Sequence, residues 1–133
     1  MENKKTILVT GTGAESQSVI KAFRASGRYE IRTGLDQINE CYGVFGAAVD
    51  QQLLNALYGS GVQHAVLLTS RETKSPGIPA SFVRIPFYYE DLLNHDLPNA
   101  DDRLAAASVE DIGQVVATIF EHPKLYIGRT VNV

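Results

Sequence analysis

The stretch "ILVTGTGAESQSVIKAF", Ile7–Phe23, decides the fold class. Thr6–Thr10 is short, apolar and β-branched, and glycine cuts it off, as in a strand buried on both faces. Beyond Gly11 and Gly13 the pattern changes period: Val19, Ile20 and Phe23 share one face at helical spacing, and Gly27 is placed to cap the helix C-terminus. A buried strand, a glycine turn and an amphipathic helix open an α/β unit.

Working outward, Tyr29–Gly34 alternates loosely and predicts a second strand, with Asp36 just past its end. Gly43–Ala48 is a weaker third. Asp50 is placed to cap a helix in which Leu53, Leu54, Leu57 and Tyr58 form one stripe, ended by Gly59 and Gly61. His64–Ser70, "HAVLLTS", reads as a strand, as does Ala80–Ile85 between Pro79 and Pro86. A short helix follows at Tyr88–Asn94. Ser108 and Asp111 resemble a capping box for a helix that turns Ile112, Val115, Val116, Ile119 and Phe120 inward, with Pro123 at its end and Thr130–Val133 as a closing strand. This order predicts a three-layer, Rossmann-like α/β fold: a mostly parallel sheet of five or six strands with helices on both faces, in a single domain over residues 1–133. One join is short. Parallel neighbours usually need a crossover of about a dozen residues, and Asp36–Tyr42 offers seven, so this segment is expected to be antiparallel, extended across a sheet face, or exchanged with a partner chain.

Composition narrows the function. Of 133 residues, 44% are hydrophobic and 20% charged, and 12 Lys and Arg against 15 Asp and Glu give a net charge of −3. The scattered basic residues argue against a nucleic-acid surface. Cys41 is the single cysteine, so no disulfide forms within these residues and two-thiolate zinc patterns are excluded. The apolar run after Lys4 and Lys5 is too short for a signal peptide or membrane span, and a cytoplasmic setting is expected. His64, His95 and His122 share no metal-ligand spacing, and no metal site is predicted. There is no G-x-S-x-G nucleophile elbow.

Gly11, Gly13 and Ser16 stand at the spacing G-x-G-x-x-G with the last glycine replaced. In that pattern the first glycine permits the tight turn, the second lets backbone approach a pyrophosphate, and the third allows close packing of helix on strand. The replacement falls on the packing position. Gly11, Thr12, Gly13, Ala14 and Ser16 are therefore candidates to hold a dinucleotide's phosphates at the helix N-terminus. Asp36, 20 residues beyond Ser16, is placed to accept bonds from the adenosine ribose and to repel a 2′-phosphate, favouring NAD over NADP. The alternative is a tight turn with Asp36 in a solvated loop.

Several stretches together resemble the NmrA-like branch of the atypical short-chain dehydrogenases/reductases: "ILVTGTG…SVIKAF", "GVQHAVLLTS", "ASFVRIPFYYEDLL" and "SVEDIGQVVATIFEHPKLYIGRTVNV". The resemblance implies an NAD(P)-binding fold in which Ala47 and Ile85 border the cofactor and Ile85–Tyr88 passes near the nicotinamide. It also implies losses, namely a strand and helix between Asp36 and Gly43, a helix between Ser70 and Ala80 that usually carries a catalytic lysine, and much of a substrate-covering region after Asn94. No tyrosine here has a lysine four residues on, so the usual general-base pair is missing. Lys74, in a Ser/Pro/Gly loop, reads as a solvated residue and not as that lysine's replacement.

Three functions follow as expectations. The first is a dinucleotide-binding, weakly catalytic or non-catalytic redox-sensing module with a regulatory protein partner, as the resemblance implies. The second is a small oxidoreductase acting on a carbonyl, in which Ser70 at a strand end and Tyr88 or Tyr89 would be catalytic. The third is a homodimeric scaffold with a vestigial site, since a shortened sheet leaves edges for a second copy to cover.

Overall fold

The computed structural model describes residues 4–48, 50–69, 77–84 and 111–132. Among the described residues six strands form one sheet: β1 (Lys5–Val9), β2 (Tyr29–Arg32), β3 (Gly43–Gly46), β4 (His64–Thr69), β5 (Ala80–Arg84) and β6 (Thr130–Asn132). Their order is β2-β1-β3-β4-β5-β6, and every pairing is parallel. The antiparallel alternative for the short join is thus corrected. From β2 the chain steps over β1 to reach β3 through a 3-10 helix, Leu35–Glu40. Its six residues, at a rise of about 2.0 Å each, advance about 12 Å, whereas two strand spacings total about 9.6 Å. A tighter, longer-rising helix lets a connection too short for an α-helix complete a parallel crossover.

Alternation along the strands sorts the core onto two faces. Ile7, Val9, Phe45, Val66, Leu68 and Val83 point to one side, where they meet Val19 and Phe23 of α1 (Ala14–Ser26) and Ile112, Val116, Ile119 and Phe120 of α3 (residues 111–121). Leu8, Val44, Ala65, Leu67, Ala80 and Phe82 point to the other, against Ile38 and Cys41 of the crossover and Leu53 and Leu57 of α2 (Gln51–Leu57). Hence the α/β, three-layer, Rossmann-like arrangement, with an all-parallel sheet where mostly parallel was expected. α1 and α3 approach closely at Gly113, whose amide donates to Ser18 Oγ at 3.1 Å; a Cβ there would run into the Ser18 carbonyl.

Helix ends follow the sequence signals with two differences. Gly27 caps α1 in the left-handed region at φ +67°. Asp50 Oδ1 accepts from the Leu53 amide at 2.7 Å, closing the first turn of α2. Because α2 has only seven residues, this cap weighs heavily: Asp50→Ala is expected to cost about 1 kcal/mol, read as a lower urea midpoint at unchanged slope. Tyr58 corrects the predicted stripe. α2 ends at Leu57, the backbone turns extended at Tyr58, and the ring is 54% exposed. Pro123, expected to mark the end of α3, also begins a short helix, α4 (Pro123–Tyr126), at its first position. The predicted helix at Tyr88–Asn94 and the Ser108 half of the capping box lie outside the described residues.

Candidate functional site

Chain order reverses around β1: the chain leaves it for β2 on one side and returns across it to β3 on the other. In open parallel sheets the crevice outside the carboxyl ends of strands at such a point is where ligands bind, because the two crossover connections part there. A cleft of about 360 Å³ occupies this position, within the usual range of about 300–1,000 Å³ for small-molecule sites. Thr10 and Gly11 line it from the end of β1, Thr33 and Leu35 from the end of β2, Ala47 and Ala48 from the end of β3, and Asp50, Gln52 and Leu53 from the start of α2.

The floor is built by Thr10. Its amide and its Oγ1 both donate to the Phe45 carbonyl, at 3.0 and 3.1 Å, and the Ala47 amide donates to Oγ1 at 3.4 Å. These bonds tie the ends of β1 and β3 together where the chain must turn outward. Gly11 then takes φ +87°, and a Cβ there would lie 2.9 Å from Ser16 Oγ and 3.1 Å from Ala47 Cβ. Ser16 has no exposed surface, and its hydroxyl donates to the Thr10 carbonyl at 2.7 Å. The residue in place of the third glycine is thus turned under the loop, where it locks strand to helix.

Gly13 differs from Gly11. It is the N-cap of α1, with φ −77° and ψ −176°, an extended conformation open to any residue, and it is exposed together with Thr12 and Ala14. The carboxylate of Asp36 turns back over Gly34, whose Cβ, if built, would lie 2.6 Å from Oδ1. Asp36 is exposed, and the lining passes from Thr33 to Leu35 without it. Ala47 is on the cleft wall. Ser70, Lys74, Ile85, Tyr88 and Tyr89 lie outside the described residues. Arg84 ends β5, and its Nε is buried with no hydrogen-bond partner among the described residues.

The sequence reading did not place Thr33, Leu35, Ala48, Gln52 or Leu53 at the site. Local pattern carries no signal for them, because they converge only when three strand ends are set side by side. Asp50 had been read as a cap, and it is both cap and wall. Among the described residues no group of three or more His, Cys, Asp or Glu could hold a metal ion, and no helix is long and apolar enough to cross a membrane.

No protein-family model matches the chain. A solved structure similar to it is that of a GDP-L-fucose synthetase from Naegleria fowleri, with 13% sequence identity and a TM-score of 0.37 over 97% of this chain. The match covers 52% of that protein, so this chain spans about half its length.

Proposed function

We propose that the chain binds NAD or a related adenine nucleotide and works as a nucleotide-responsive regulatory module of the NmrA-like type. The observation that carries the reading is the 360 Å³ cleft at the reversal of strand order, flanked by a glycine loop that opens a 13-residue helix. In this reading the adenosine half enters the cleft between the Thr33 and Ala47 walls. The pyrophosphate lies over Gly11, Thr12, Gly13 and Ala14, where free first-turn amides and the helix dipole favour an anion. Ser16 supports the loop from beneath. Asp36 reaches the ribose by rotating off Gly34. The lining includes Asp50 and no Lys or Arg, which supports NAD over NADP, since a 2′-phosphate would meet a carboxylate without a balancing cation. The missing Tyr-x-x-x-Lys pair supports a binding role over vigorous turnover; general acid–base help is worth roughly 10²–10⁴-fold.

Gly13→Val tests the site cleanly. The backbone there accepts a side chain, and the sole atom within 4 Å of a built Cβ is Glu15 Oε2, at 3.1 Å, so the fold survives with an N-cap cost of about 1 kcal/mol. In isothermal titration, NAD and NADH are expected to bind the wild type more tightly than NADP and NADPH, and to lose at least tenfold in the variant. Equal binding to both proteins would remove the phosphate from the loop. No binding by folded wild type would leave the turn purely structural, and substrate-dependent oxidation of NADH across a carbonyl panel would replace the regulatory role with an oxidoreductase one.

A further inference from the structure

Glu15 is only 8% exposed, although it stands in the first turn of α1, directly after the exposed Gly13 and Ala14. Its Oε2 lies 3.1 Å from where a Gly13 Cβ would be. The carboxylate therefore rests against the stretch of backbone that a pyrophosphate must approach. No hydrogen bond or ion pair to a described residue holds it there. Its attraction is electrostatic: a carboxylate in a first turn is drawn by the free N–H groups and the positive end of the helix dipole. A ligand phosphate would be drawn by the same field, and two anions close together repel each other.

We propose that Glu15 is a specificity-determining residue that competes with the ligand's phosphates for the N-terminus of α1. This rests on the nucleotide reading given above. Without Glu15 the loop would hold a pyrophosphate at full strength; with it, affinity for the phosphate portion is set low, and recognition leans on the adenosine cleft. Such a balance suits a module that must release its nucleotide as concentrations change.

The test uses the full chain and its Glu15→Gln variant, which keeps size and hydrogen-bonding capacity and removes the charge. NAD, inorganic pyrophosphate and adenosine are titrated into each at low and at moderate salt. The expected result is about a tenfold gain for NAD in the variant at low salt, shrinking as salt screens the repulsion. Pyrophosphate should gain in the same direction, and adenosine, which has no phosphate, should bind both proteins alike. Equal NAD affinity in the two proteins would overturn the proposal, as would an equal gain for adenosine, since either would show that the charge at Glu15 does not act on phosphate. If neither folded protein binds NAD or adenosine, the nucleotide reading falls and this inference falls with it.

Discussion

Gly11→Ala is expected to destabilise the protein by about 2–5 kcal/mol, the sum of a left-handed backbone forced on an L residue, about 1–2 kcal/mol, and overpacking against its neighbours, about 1–3 kcal/mol. The two costs have separate origins. The φ of +87° penalises any side chain, whereas the contacts at 2.9 Å to Ser16 Oγ and 3.1 Å to Ala47 Cβ arise because Ser16 fills the space under the turn. Neither neighbour is a free end: Ser16 Oγ is bonded to the Thr10 carbonyl, and Ala47 is held by its amide bond to Thr10 Oγ1. A double-mutant cycle in urea separates the terms. In a Ser16→Gly background the part of the packing term due to Ser16 should fall away while the contact with Ala47 stays, so that Gly11→Ala costs about 1 kcal/mol less than in wild type. Additive costs would mean that Ser16 does not crowd Gly11, and a Gly11→Ala protein of wild-type stability would contradict the turn described for Thr10–Ala14.

Acid is expected to remove about 3 kcal/mol of stability through His64 alone. The imidazole is fully buried in β4. Its Nε2 lies 2.8 Å from Ser81 Oγ, and that hydroxyl donates to the Tyr126 carbonyl at 2.7 Å. Since the serine proton is already spent, Nε2 must carry the hydrogen and donate. Nδ1 is then the bare nitrogen, buried with no partner among the described residues, and the Phe120 ring stands edge-on to the imidazole at 5.1 Å. A second proton would be placed in this apolar wall, so burial lowers the pKa from 6.5 to about 4. The unfolded chain takes up that proton near pH 6.5 and the folded chain only near pH 4. The stability is therefore fully present above pH 6.5 and is lost as pH falls, at about 1.4 kcal/mol per unit. Below about pH 4 this group makes no further difference. Urea unfolding of wild type and His64→Leu at pH 7, 5.5 and 4.5 isolates it from the carboxylates. The wild type should lose the extra increment and the variant should not; parallel pH profiles would sink the assignment. Because Ser81 links β5 to Tyr126 of α4, the segment that carries β6 should loosen first, seen as early loss of amide protection over residues 124–132.

Much of this architecture was legible in the linear pattern because the signals are local. The runs at Thr6–Thr10 and His64–Ser70 are apolar and β-branched over strand length, and such residues fit a sheet covered on both sides. Val19 and Phe23 recur at helical spacing, Gly27 can take a positive φ, and Asp50 can accept an amide bond, so helix faces and ends could be read without a partner in view. What local pattern could not supply was direction and convergence. The short join after Asp36 is brief against the dozen or so residues that a parallel crossover usually needs, and a 3-10 helix with Ile38 against the sheet resolves it. Tyr58 matched the stripe of α2 by spacing, yet the helix stops one residue earlier and the ring turns to solvent.

The opening turn shows the same division. Its two glycines, its position between a strand and a helix and the small size of Ser16 are properties of residues and spacing, and they were enough to fix a Rossmann-like start and to nominate a phosphate loop. That Gly11 is required by conformation and crowding while Gly13 is not, that Ser16 is spent on the Thr10 carbonyl, that Glu15 rests beside Gly13, and that Asp36 turns toward Gly34 depend on where side chains meet once β1, β2 and β3 lie side by side. Propensity and periodicity act within a few residues of chain, whereas hydrogen-bond partners, crowding and electrostatic neighbours are set by distance in space, which only the packed sheet defines.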